Sequence, residues 1–171
     1  MQFDQLKRRQ FIALLGGAAA AWPLSSRAQQ AAKASGLIVV VLNVASERDI
    51  DTASTILVQK QVDGLLVNPD STLTANRDQI VALAAHHRMP ALYPWREYVE
   101  AGGLMSYGTS LNDSFHQIGV YAGRILRGVR PADLPVTQPT TIELVINLKT
   151  AKTLGLDISP KLLALADAVM E

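Results

Sequence analysis

At 171 residues, 49% of them hydrophobic, the chain is long enough for one domain that buries roughly two-thirds of its unfolded surface, and short for two. Sixteen Lys+Arg against 15 Asp+Glu, with that apolar share, exclude a disordered chain, and a net charge of +1 gives no electrostatic footprint for nucleic acid. The lack of Cys excludes disulfides, thiolate metal sites and Cys nucleophiles.

The first 28 residues read as an export leader. Lys7, Arg8 and Arg9 form a cationic start, and an apolar stretch runs from Phe11 to Leu24. Ser26-Arg27-Ala28 then places small residues at −3 and −1 of a cleavage point before Gln29. A stretch of about 14 residues is too short to cross a bilayer, which takes about 20. Arg8-Arg9-Gln10-Phe11-Ile12 resembles the twin-arginine export signal, read through its paired guanidinium groups and the following Phe. Lys7 and Ala13 depart from that pattern, so the general export route stays open. Removing residues 1–28 takes away Lys7, Arg8, Arg9, Arg27 and one acid, Asp4, leaving 12 basic and 14 acidic side chains, a net of −2. The expected product is periplasmic, with residues 29–36 as a joining segment and 37–171 as an α/β region.

That region alternates strand and helix signals. Leu37-Ile-Val-Val-Val-Leu-Asn-Val44 is a continuous apolar, β-branched run, as expected of a strand covered on both faces. Ser46 and Asp49 supply a cap and an acid for a helix carrying Ile50, Ala53 and Leu57. Residues 63–68 read as a second strand stopped by Pro69, and about 74–87 as one helix. Residues 90–93 form a third strand, 95–101 a short helix, and 104–107 a fourth strand after the Gly102-Gly103 turn. Ser110 and Asp113 open the best helix, with Leu111, Phe115, Ile118, Ala122, Ile125 and Leu126 on one face. Gly128 and Pro131 end it, and residues 129–139 read as an extended connector. Thr140 to Asn147 alternates into a strand, Asn147 caps a short helix, and Ser159-Pro160 starts a terminal helix. So many strand–helix units imply a parallel sheet with right-handed crossovers.

Searching for chemistry mostly finds absences. There is no Gly-rich phosphate loop, nucleophile elbow, HExxH pair or acidic calcium loop. His86 and His87 point about 100° apart on a helix, so no metal site follows; His86 reads as solvated and His87 as half-buried. No catalytic set and no cofactor are implied. In an open parallel sheet, ligands sit beyond the carboxyl ends of the strands. The residues there are Ser46, Asp70, Ser71, Trp95, Arg96 and Tyr107. Trp95 is the one tryptophan left once Trp22 departs with the leader, and its aromatic plane beside the Arg96 guanidinium suits a small anionic or aromatic ligand. The structural alternative is that Trp95 packs on the sheet edge and Arg96 pairs with Glu100.

Taken in order, several segments carry a resemblance: Ser46-Glu-Arg-Asp-Ile-Asp51, Tyr93-Pro-Trp-Arg-Glu97, Ala101-Gly-Gly-Leu-Met-Ser-Tyr-Gly108 and Ile142-Glu-Leu-Val-Ile-Asn-Leu-Lys-Thr-Ala-Lys152. They resemble the C-terminal half of ABC-transporter substrate-binding proteins of the tryptophan/tyrosine type, which have a type I periplasmic-binding fold. The resemblance implies a secreted protein that closes two α/β lobes around a small organic solute, an amino acid or an aromatic or organic acid, before docking on an inner-membrane permease. Such proteins are about twice as long. The expectation is therefore one periplasmic-binding-protein-like lobe with the first lobe largely absent, joined to a leader. It also implies impaired solute binding, or a non-binding interaction protein of the same fold. The face from Phe115 to Leu126 would then lose its partners and expose apolar surface or self-associate.

Overall fold

The computed structural model describes residues 10–16, 38–138 and 141–171. The expected leader residues Arg8, Arg9 and Ala28 and the joining segment 29–36 lie outside the described residues.

The described residues build a mixed sheet in the order β2-β1-β3-β4-β5-β6-β7. Its strands are β1 (Gln10–Gly16), β2 (Ile38–Val44), β3 (Gly64–Val67), β4 (Ala91–Tyr93), β5 (Met105–Thr109), β6 (Ile142–Asn147) and β7 (Ala168–Met170). The first five run parallel, as the alternating signals require.

The structure adds to or differs from the sequence expectations in the following elements. The start of the apolar leader stretch, including Phe11, is strand β1, paired on both sides. A short apolar run has no periodicity that separates a leader segment from a strand. β1 takes the inner position, so β2 becomes the sheet edge: only Val44 is fully buried there, and Ile38 is 40% exposed. Strand β6 pairs antiparallel with β5, from Met105↔Ile146 to Thr109↔Ile142. The cause is the connector after the long helix. It doubles back along that helix, where the Tyr121 hydroxyl donates to the Pro135 carbonyl (2.6 Å) and lies 2.8 Å from the Thr137 hydroxyl, so the chain re-enters at the end it left. Finally, the terminal helix is only Pro160–Leu163, and Ala168–Met170 adds a strand parallel to β6.

Helices α1 (Glu47–Gln59), α2 (Ser71–Ala75), α3 (Arg77–His86) and α4 (Arg96–Glu100) follow strands β2, β3 and β4. The expected single helix over 74–87 is divided at Asn76 (φ −104°, ψ 24°), whose side-chain amide N–H donates to the Thr72 carbonyl at 2.9 Å. His86 is exposed and His87 half-buried, as expected. One core joins Ile50, Ala53 and Leu57 of α1, Leu73 of α2 and Ile80, Val81 and Ala84 of α3 to Leu65, Val67, Ala91 and Tyr93 of the sheet. Leu66 alternates to the other face of β3 and is 36% exposed. Tyr93 stacks on Tyr98 with ring centroids 4.8 Å apart, and burial raises the Tyr93 phenol far above its ordinary value. Helix α5 (Leu111–Leu126) starts as expected, the Ser110 hydroxyl accepting from the Asp113 N–H at 3.2 Å. None of its residues is buried; Phe115, Ile118 and Leu126 are 65%, 62% and 88% exposed. Helices α6 (Leu148–Leu154) and α7 (Pro160–Leu163) complete the described set.

The start of α1 carries a pH prediction. The Asp49 carboxylate accepts from the Ser46 hydroxyl (2.9 Å) and from the backbone N–H groups of Ser46 (2.9 Å) and Ala45 (3.0 Å). These bonds, the Ser46 hydroxyl first, hold its carboxyl below the ordinary value. A depressed folded value means that the contribution to stability is present above the unfolded carboxyl value of about 3.9 and is lost as pH falls through the folded one. A carboxyl-detected NMR titration should find the Asp49 midpoint below about 3.9. A midpoint at or above that value would show that the cap is open in solution.

Candidate functional site

Strands β2 to β5 end on one side of the sheet, and the expected ligand residues follow those ends, except Tyr107, which lies within β5 because that strand runs on to Thr109. After β3, Asp70 caps α2: its Oδ1 accepts from the N–H groups of Thr72 (2.7 Å) and Leu73 (3.1 Å). One turn on, the Thr74 hydroxyl donates to the Asp70 carbonyl at 2.6 Å. The same hydroxyl accepts the Trp95 indole N–H at 3.3 Å. Trp95 leaves β4 with extended backbone (φ −132°, ψ 147°), so its half-buried ring lies against the α2 turn. Asp70, Thr74 and Trp95 thus form one connected row across the ends of β3 and β4.

Arg96 follows and is held twice. Its Nε donates to Glu100 Oε1 at 3.1 Å, the partner weighed from the sequence. Its Nη1 donates to Glu143 Oε2 at 3.2 Å, across 47 residues. Glu143 is positioned by β6, where it stands opposite Gly108 of β5. Gly108 is required there: a Cβ would run into the Pro94 carbonyl oxygen, with the carbonyl carbon at 3.0 Å. The glycine lets β5 approach the residue that precedes Trp95. One guanidinium and two carboxylates are therefore linked at the residue that follows Trp95, whose ring packs against the core and whose indole N–H is held by Thr74.

The remaining expected residues are less closely gathered. Ser71 is the exposed first residue of α2. Tyr107 is 59% exposed on β5, opposite Leu144. Ser46 lies at the end of β2, separated from β3 by β1, and its hydroxyl is spent on Asp49. Sequence reasoning missed three residues at the site: Thr74, Glu143 and Tyr98. Thr74 could have been found from its i, i+4 spacing to Asp70. The Tyr98 phenol is raised chiefly by burial, offset by the Thr74 hydroxyl and Arg77, and Asp70 pushes it up further. Glu143 had no local signal as a site residue, because only the antiparallel return of β6 brings it to Arg96.

Other hollows lie away from these residues. A cavity of about 110 Å³ is lined by Val81, Ala84, Tyr93, Gly103, Leu104 and Thr150, toward the opposite ends of β4 and β5. Among the described residues no group of three or more His, Asp or Glu could hold a metal ion, and no helix is long and apolar enough to cross a membrane.

Comparison with known proteins gives a consistent picture. The family model described as ABC transporter substrate binding protein matches residues 14–170. A tyrosine-binding protein of Clostridioides difficile is 26% identical over 125 residues, covering 73% of this chain and 36% of its own length. The crystal structure of an ABC domain in complex with L-Trp, from Streptococcus pneumonia, is 28% identical with a TM-score of 0.82 over 95% of this chain and 56% of that one. A conserved domain protein of Vibrio cholerae gives 25% identity and the same TM-score, over 94% of this chain and 54% of the other. The chain thus spans about half the length of these solved relatives and about a third of the curated one.

Proposed function

The chain belongs to the ABC transporter substrate-binding protein family, and on that premise we propose that it is an exported solute-binding component of an uptake transporter, with an aromatic amino acid as its solute. The exported, periplasmic placing and the docking on an inner-membrane ABC permease are parts of the same proposal. Its role is binding and delivery, without turnover. One observation carries the choice of solute. Trp95 directly precedes Arg96 in the chain, and the Arg96 guanidinium is set between Glu100 and Glu143. A lone organic acid would find one cation and two competing carboxylates there. A zwitterion finds a partner for each end: its carboxylate meets the remaining N–H groups of Arg96, its ammonium approaches Glu143 and Glu100, and its ring stacks on Trp95. Asp70, Ser71, Ser46 and Tyr107 lie farther out and would meet polar atoms of the solute at the rim. The names of the tyrosine-binding relative and of the L-Trp complex support the same class.

Trp95 is a built-in reporter. In a Trp22→Phe chain it is the sole tryptophan, and its fluorescence should change on adding L-phenylalanine or L-tyrosine; calorimetry serves for L-tryptophan. The response of this lobe by itself is expected only at roughly millimolar solute. Losing about 4 kcal/mol of enclosing contacts weakens binding about a thousandfold. Phenylpropanoic acid, which lacks the ammonium group, should bind more weakly than phenylalanine, and Arg96→Ala should abolish the response to both. An equal response to the two acids would defeat the zwitterion reading. A micromolar response would show the site to be complete in this chain.

A further inference from the structure

The export reading and the sheet make opposite demands on one segment. Residues 11–24 follow Lys7, Arg8 and Arg9 as the apolar run of a leader, and Gln10–Gly16 is also strand β1. Along its whole length β1 is matched to β2, from Gln10↔Ile38 to Gly16↔Val44. On its other side Phe11 to Leu14 are matched to Gly64 to Val67 of β3. Strands β2 and β3 are neighbours only through β1, so their backbones stand about 10 Å apart, two inter-strand spacings. The family match itself begins at Leu14, inside this strand.

Over Phe11 to Leu14 the backbone is paired on both edges and has no donors or acceptors left for a receptor or a membrane channel. Arg8 and Arg9 lie directly before the strand in sequence. We propose that folding and export compete for Gln10–Gly16: once the sheet closes around β1, the chain withholds its own export address. Export must then take the chain before the sheet forms. The general route, which threads unfolded chains, meets this demand; a route that carries folded chains meets a leader whose residues 10–16 are already paired. Cleavage after Ala28 has the complementary effect. It removes β1 and leaves the facing edges of β2 and β3 open, with β2 tied to the rest through α1.

The inference rests on the export reading proposed above, and the experiment separates the two. Hydrogen exchange on the purified full-length chain should show the amides of residues 11–15 slowed roughly a hundredfold or more, in company with those of β3. Exchange at unstructured rates would overturn the competition. In pulse-labelled cells, Leu73→Ala, which weakens the core beside α2, should raise the exported fraction several-fold; an unchanged or smaller fraction would overturn it. Changing Arg8 and Arg9 together to Lys should leave export intact, and a block would show that folded chains are carried. A fusion of residues 1–30 to an unrelated, independently folding reporter tests the address alone. Its export upholds the leader, and its retention removes both the export reading and the competition built on it.

Discussion

Gly108→Ala is expected to destabilise the chain by about 3 kcal/mol, at the upper end of overpacking costs. The added methyl would meet backbone and not a movable side chain: the Pro94 carbonyl oxygen lies inside contact distance, with the carbonyl carbon at 3.0 Å and Cα at 3.6 Å. Relief requires β5 to move away from the end of β4, and both strands are fixed. β5 is paired with β6 over five residues, and β4 is packed through Tyr93, which is 1% exposed. With a denaturant slope of about 2 kcal/mol per molar urea, the unfolding midpoint should fall by about 1.5 M. The site should suffer with the fold, because Gly108 stands opposite Glu143, the far partner of Arg96. An unchanged midpoint would mean that β5 does not approach Pro94 this closely. Ala at Gly119 is the control, since its Cβ would meet nothing within 4 Å.

Leu73→Ala should cost about 2–5 kcal/mol, as large-to-small changes in packed cores do. Leu73 is fully buried, although it sits on a helix of only five residues. Its packing anchors α2, and α2 carries both Asp70, through its cap, and Thr74, which accepts the Trp95 indole N–H. The same variant should therefore loosen Trp95, seen as a red-shifted and more readily quenched emission in the Trp22→Phe background. Leu126→Ala provides the contrast. That side chain is 88% exposed, and its loss should fall within about 0.5 kcal/mol. Equal losses at the two leucines would show that the exposed face of α5 is covered in solution.

The two substitutions also mark how much of the site could be read from the chain. Leu73 was not legible: the helical signal begins at about Thr74, and Asp70 reads as a ligand residue until it is seen capping Ser71–Ala75. The Trp95–Arg96 pair was legible because tryptophan is rare here and falls at a strand end. The Arg96–Glu100 pair was legible because i, i+4 residues on a helix are neighbours. Gly108, by contrast, looks like any glycine in a turn-rich segment until β5 is seen against Pro94. Glu143 looks like the polar half of an alternating strand until β6 turns back beside β5.

The division follows the range of the forces involved. The sequence by itself determined the caps at Ser46, Ser110, Asn147 and Ser159, since the groups a cap joins are only three residues apart. It determined the strand–helix alternation and the buried stripe Ile50, Ala53 and Leu57, since these depend on local periodicity. Its family resemblance was equally legible, and the match over residues 14–170 shows it. Only the tertiary structure decided which strands are neighbours. Pairing brings together residues whose separation along the chain leaves no local trace, and a parallel and an antiparallel partner can carry the same alternation. Hence the strand formed by Gln10–Gly16, the edge position of β2 and the reversed β6 all lay outside local reading. The same holds for the meeting of Arg96 with Glu143, which follows from that reversal.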